Sequence, residues 1–181
     1  MNRRRQFIRG AGLGALAFSV GGASVLLTAR EARAQGVPYR TLKASEAEAI
    51  EALGETLVPG ARAAGIAHFI DHQVSVPPEE ALLEARILNV RPPYLNFYRA
   101  AVGAVDGAAK GLHGRAFAQI SDLERNELVK LMRQNKLDGW QGPPAGFVYF
   151  VLRSDAVDVV YGTEEGYKDL GIPYMAHIAP L

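Results

Sequence analysis

The feature that most restricts the fold is a long run of helical spacing in the second half of the chain. Apolar residues recur every three or four positions over residues 94–112, which is the period of an amphipathic α-helix. Pro92-Pro93 precedes the run and Gly114 follows it, and both residue types are typical of helix boundaries. The pattern predicts a long helix with one buried face, and therefore further helices to cover that face.

Capping signals place other helices before and after this one. Ser45 with Glu48, and Ser121 with Glu124, have the spacing of a capping box. The first predicted helix ends at Pro59-Gly60. Others are predicted over 66–76, with less regular spacing over 79–88, and from Ser121 to about residue 135.

The run 147–152 is ambiguous, because six apolar residues in a row also suit a buried strand. No alternating partner strand is visible elsewhere, so we predict a buried helix. The fold class expected is all-α: a single compact domain of about five to six helices over residues 35–161, followed by an irregular tail over 162–181. A chain of this size buries enough surface to fold without disulfides or metal.

Residues 1–34 have the composition of an export signal. Nineteen uncharged residues, 10–28, follow a basic start, but many of them are Gly, Ser or Ala, so the run is a poor membrane span. Ala32-Arg33-Ala34 before Gln35 is a small-x-small cleavage site. We call residues 1–34 the leader segment.

The basic start is more specific than an ordinary signal. Arg4-Arg5-Gln6-Phe7-Ile8-Arg9 resembles the twin-arginine export motif, in which Arg4, Arg5, Phe7, Ile8 and Arg9 are the informative positions. The alternative is a basic amphipathic start that only touches anionic lipid. Gly10, Gly12 and Ala15 fit a dinucleotide-binding fingerprint, but the motif requires a preceding strand and a following helix, so we reject it.

Charge and cysteine content exclude several function classes. Without residues 1–34 the chain has 14 Lys and Arg against 18 Asp and Glu, and this acidic balance argues against nucleic-acid binding. The chain has no Cys, which excludes a disulfide, a thiolate-bound iron–sulfur cluster, a Cys-attached haem and a Cys nucleophile.

Candidate catalytic and binding residues are few. His68 and His72 are four apart with Asp71 between them, as in a helical metal-binding pair, although a partly exposed His pair that flanks a core face is the preferred interpretation. Trp140 lies in a Gly- and Pro-rich loop and either stacks on a sugar or fixes the loop. No serine lies in a nucleophile-elbow motif, so we predict no catalytic residue and no cofactor site in this chain.

The tail over 162–181 is rich in Tyr, Met, Ile and Pro, which are not the residues of a solvated tail. Either it folds back on its own domain or it lies along a partner. The candidate contact residues are Tyr161, Tyr167, Pro173, Tyr174 and His177.

Several short motifs, taken in order, resemble the gluconate 2-dehydrogenase subunit 3 family. They are the twin-arginine leader, Leu57-Val58-Pro59-Gly60-Ala61, Phe69-Ile70-Asp71, the Trp140 loop before 147–150, Val160-Tyr161-Gly162, and Leu170-Gly171-Ile172-Pro173. The resemblance covers the chain from the leader to the C-terminus.

The resemblance implies a small subunit without a redox centre. In the family a large subunit binds FAD and oxidises a sugar or alcohol, and a multihaem cytochrome c subunit passes electrons onward. The twin-arginine translocase carries folded proteins, so one signal on the small subunit can export the flavoprotein as well. This implies a periplasmic complex associated with the cytoplasmic membrane. The competing hypothesis is a free-standing periplasmic binding protein for a metal, at His68 and His72, or for a sugar near Trp140.

Overall fold

The structure, a computed structural model, describes residues 16–20 and 23–173, and helices make up most of this part of the chain. The α-helices are α1 Ala29–Ala34, α2 Ala44–Leu57, α3 Ile66–Gln73, α4 Glu84–Ile87, α5 Tyr94–His113, α6 Asp122–Arg133, α7 Ala145–Tyr161 and α8 Glu164–Asp169. A 3₁₀ turn, Phe117–Gln119, joins α5 to α6. The predicted helical fold is confirmed: six of the described α-helices, α2–α7, lie in the predicted domain over residues 35–161, and α1 and α8 flank it.

Two short strands precede the helices, β1 Leu16–Val20 and β2 Ala23–Leu27. They pair antiparallel, with Leu16 opposite Leu27 and Val20 opposite Ala23. The sequence analysis predicted no strand here. The runs LAFSV and ASVLL are uncharged and mostly apolar, and two glycines separate them in the sequence, a pairing of short runs and turn residues that is typical of a hairpin.

Helices α2 and α7 form the centre of the domain. Helix α2 packs against α3, α5, α6 and α7, and α7 also packs against α3, α4 and α6. Their apolar faces enclose a core whose largest fully buried side chains include Ile50, Leu53, Tyr98, Phe117, Leu128, Met132 and Leu152. Helix α7 includes residues 147–152, which confirms the prediction of a buried helix there.

The first capping prediction was wrong and the second was right. Helix α2 begins at Ala44 with Lys43 as its N-cap, and the Glu46 carboxylate accepts the Lys43 backbone N–H at 2.8 Å. Arg99 on α5 also donates to Glu46, at 2.9 Å, so this tertiary ion pair favours a start two residues before the Ser45 position. Ser121 caps α6 as predicted, and its backbone N–H donates to Glu124 at 2.7 Å.

The segment predicted as a helix over 79–88 is helical only over Glu84–Ile87. Its backbone N–H groups are bound by side chains of other helices. Leu82 donates to the Gln73 side chain at 2.7 Å, and Glu84 donates to the Asp155 carboxylate at 2.9 Å. Since these bonds replace intrahelical ones, the segment remains a loop with a single helical turn.

Within the described residues, no helix combines the length and the apolar composition needed to cross a membrane.

Candidate functional site

The first candidate region is the C-terminal segment that follows α7. Helix α8 lies where the sequence analysis expected an irregular tail, because Thr163 caps it by accepting the Gly166 N–H at 3.0 Å and two acidic residues open its first turn. A Cβ atom at Gly166 would stand 2.3 Å from the Val160 carbonyl oxygen. The segment therefore folds back tightly on the end of α7.

The predicted contact residues divide between the two faces of this segment. Tyr161 and Tyr167 are half-buried, Tyr161 against the main core, and Pro173 is exposed. Pro173 lines an open depression with Glu164, Lys168, Gly171 and Ile172. Tyr174 and His177 lie outside the described residues.

Two aliphatic side chains near this depression face solvent. Leu170 is 52% exposed and Ile172 is 50% exposed. Together with Glu164 and Lys168 they give the segment an apolar centre beside one anion and one cation.

The second candidate region is the His68, Asp71 and His72 face of α3. All three side chains are buried. His68 Nε2 lies 2.9 Å from the Val37 carbonyl oxygen, and its ring lies 4.6 Å from the Tyr39 ring, centroid to centroid. A carbonyl oxygen only accepts, so the His68 ring donates from Nε2.

Asp71 has a structural task beside the two histidines. Its carboxylate accepts the backbone N–H groups of Arg40, Thr41 and Leu42 at 2.8–2.9 Å. These three bonds hold the chain that leads into α2 against α3. The Phe69-Ile70-Asp71 motif thus fixes a loop at its acidic position.

The histidine pair does not gather further ligands in the described part of the chain. No group of three or more His, Cys, Asp or Glu side chains there is arranged to hold a metal ion. Burial lowers the pKa of His72, the nearby Arg40 cation lowers it further, and Asp71 acts in the opposite direction. Both histidine rings instead contact Phe18 of the leader segment.

The described part of the leader segment packs on this face of α3. The Phe18 ring is 3% exposed and lies 5.5 Å from the His72 ring and 6.4 Å from the His68 ring. Phe18, Leu27, Ala32 and Val37 form a small apolar cluster separate from the main core. We call it the leader cluster.

The predicted cleavage residues lie at the end of α1. Ala32 is fully buried, whereas Ala34 and Gln35 are exposed. The helix carries its own capping box, in which Thr28 and Glu31 exchange hydrogen bonds. The export-motif residues Arg4, Arg5, Phe7, Ile8 and Arg9 lie outside the described residues.

Trp140 fixes its own loop. Its indole Nε1 donates to the Pro143 carbonyl oxygen at 2.7 Å, and the ring packs against the main core. This contact corresponds to the second role considered for Trp140, that of fixing the loop.

Sequence reasoning missed a buried carboxyl group on α7. Asp155 is fully buried, accepts the Tyr98 hydroxyl at 2.6 Å and the Glu84 N–H at 2.9 Å, and burial raises its pKa to about 7. The signal was present, because Asp155 continues the buried stripe of Val148, Val151 and Leu152 at helical spacing.

Comparison with known proteins gives one family. A family model described as Gluconate 2-dehydrogenase subunit 3 matches residues 44–177. The match begins at the first residue of α2, so it covers the main core and the C-terminal segment but not the leader segment. No curated protein and no solved structure matches the chain.

Proposed function

Because this chain belongs to the gluconate 2-dehydrogenase subunit 3 family, we propose that it is the non-catalytic small subunit of a flavin-dependent sugar or alcohol dehydrogenase. The family match over residues 44–177 is the observation that carries the proposal. In this assignment FAD belongs to a large partner subunit and haem c to a cytochrome subunit.

The task proposed for this chain is to export and stabilise the flavoprotein. The subunit binds the folded flavoprotein in the cytoplasm, and its twin-arginine signal brings both chains to the periplasm through the twin-arginine translocase. The assembled complex then associates with the cytoplasmic membrane. The Arg4-Arg5 motif and the small-residue cleavage site support this route.

The contact with the flavoprotein is proposed for the C-terminal segment. Leu170 and Ile172 are about half exposed although they are aliphatic, and Pro173 lies in the depression beside them. The domain core does not require these side chains, because its buried cluster consists of other residues. A partner that covers them would bury apolar surface at little cost to the domain.

The central test is recovery of the complex from its own host. A C-terminally tagged chain, purified under mild conditions from periplasm and membrane, is expected to bring down a large subunit with flavin absorbance. The double variant Arg4→Lys/Arg5→Lys is expected to leave the precursor and the flavoprotein together in the cytoplasm. A colourless monomer from wild-type cells would overturn the proposal.

The C-terminal contact has a matched control. The double variant Leu170→Ser/Ile172→Ser is expected to lower flavoprotein recovery severalfold, since it makes the proposed contact polar. Leu112→Ser/Leu123→Ser changes two other exposed leucines, on α5 and α6, and is expected to leave recovery unchanged. Equal recovery with both double variants would remove the C-terminal contact from the proposal.

A further inference from the structure

The face of α3 beneath the leader segment is shaped closely to what covers it. Gly65, just before α3, has φ +83°, and a Cβ atom there would stand 2.1 Å from the Ala29 carbonyl oxygen. Only glycine lets the backbone of α1 come this near. Ala32, one turn further along α1, is fully buried.

Charge complements this small-residue contact. Arg33 on α1 donates from Nε to the Glu51 carboxylate at 3.1 Å, and the Glu51 side chain is only 15% exposed. Arg40 donates to the Ala17 carbonyl oxygen on β1. The surface thus accepts an aromatic ring at the two histidines, small residues at Gly65 and a cation at Glu51.

The same contact leaves polar atoms without partners. The Nδ1 atoms of His68 and His72 are buried and have no hydrogen-bond partner among the described residues. A buried polar nitrogen without a hydrogen-bond partner costs free energy that exposure to water would restore. The leader segment therefore binds this face at a cost that the main core does not carry.

The leader segment can also leave without opening the main core. The leader cluster is separate from the core enclosed by α2 and α7, and no residue before Leu42 is among the buried residues of that core. Removing residues 1–34 therefore exposes the α3 face and keeps the domain.

We propose that this face of α3 is an interaction surface, closed in the precursor by the described part of the leader segment, residues 16–20 and 23–34, and opened by its removal. Once open, it accepts an aromatic side chain with a neighbouring small residue and a basic residue from the flavoprotein subunit. The proposal rests on the function proposed above. Its consequence is an order of assembly: the flavoprotein is held before export by the C-terminal segment, and the α3 face is occupied only after cleavage.

The absence of Cys from the chain permits a direct test with one introduced thiol. His72→Cys reports on the covered face, and Lys136→Cys, at an exposed position, is the matched control. Maleimide labelling is measured for the cytoplasmic precursor, for the processed subunit alone and for the complex recovered from the membrane. Hydrogen exchange over residues 66–74 of the unsubstituted chain gives the same comparison without a mutation.

The expected order at residue 72 is slow labelling in the precursor, at least tenfold faster labelling in the processed subunit, and slow labelling again in the complex, with residue 136 fast in all three. Equal labelling rates in the precursor and the processed subunit would contradict the proposal that the leader segment covers this face. Fast labelling at residue 72 within a flavin-containing complex would contradict the proposed interaction surface, because no partner would cover it there. The proposed function would be unaffected. Failure to recover any flavoprotein would instead overturn the proposed function.

Discussion

The main core and the leader cluster are two apolar clusters of different character. The main core joins α2 to α7 and satisfies its buried polar groups, as the Tyr98 to Asp155 bond illustrates. The leader cluster has four buried members and leaves the two histidine Nδ1 atoms unpaired. The main core therefore holds the fold, whereas the leader cluster forms a contact that we expect to be released more easily.

The largest expected effect on stability comes from a cavity in the main core. Phe117 is fully buried, in the 3₁₀ turn that packs against α2 and α5, so Phe117→Ala is expected to lower the free energy of unfolding by about 3–5 kcal/mol. Urea unfolding followed by far-UV circular dichroism measures it. A loss below about 1 kcal/mol would mean that this cluster does not hold the fold.

The second prediction concerns pH and the buried carboxyl group of the main core. Asp155 has its pKa raised to about 7, so the folded state binds its proton more tightly than the unfolded state. Its contribution is fully favourable below about pH 4 and is lost as pH rises toward 7. Asp155→Asn removes this titration, and the wild type is expected to lose on the order of 4 kcal/mol relative to the variant between pH 4 and pH 8.

Urea unfolding of both proteins across that pH range provides the measurement. Asn keeps the size of the side chain and can still exchange hydrogen bonds with Tyr98 and Glu84. A constant difference between the two proteins would show that Asp155 keeps its charge state throughout the range.

The third prediction compares two serines that look alike in sequence. Ser121→Ala removes the side chain that accepts the Glu124 N–H and is expected to cost about 1 kcal/mol. Ser45 lies inside α2, after the Lys43 cap, so Ser45→Ala is expected to change stability by less than about 0.5 kcal/mol. Thermal unfolding of both variants measures the difference, and equal losses would restore Ser45 as a cap.

The smallest expected effect on global stability belongs to the leader cluster. Phe18→Ala in the precursor is expected to change the free energy of global unfolding by less than about 1 kcal/mol, because the leader segment detaches before the main core opens. Hydrogen exchange over residues 66–74 is expected to accelerate strongly in the same variant. If Phe18→Ala lowered the free energy of unfolding as much as Phe117→Ala does, the two clusters would unfold as one unit.

Much of the fold could be predicted because helical spacing is a local property. The long helix α5, the capped start of α6 and the buried helix α7 all follow from residues within a few positions of each other. The start of α2 and the short α4 could not, because Arg99 and Asp155 bind their backbone or capping groups from more than 50 residues away.

The candidate site was predictable in composition but not in arrangement. The sequence indicated that His68 and His72 flank a core face, and that the tail needs a surface. It gave no sign that Phe18 lies against both histidine rings, because that contact joins segments distant in the chain. The helix Glu164–Asp169 was missed although its Thr163 cap and its acidic first turn are local signals.

Glu51 has a reserve partner, and this bears on how the domain tolerates loss of its leader. While Arg33 occupies one carboxylate oxygen, Arg62 Nε lies 3.8 Å from the other, buried and without a hydrogen bond in the described structure. Glu51 therefore has two basic neighbours, and only Arg33 belongs to the leader segment. A Glu51 carboxylate that lost its contact with Arg33 would keep Arg62 beside it, which lowers the cost of leaving this partly buried anion on the opened face.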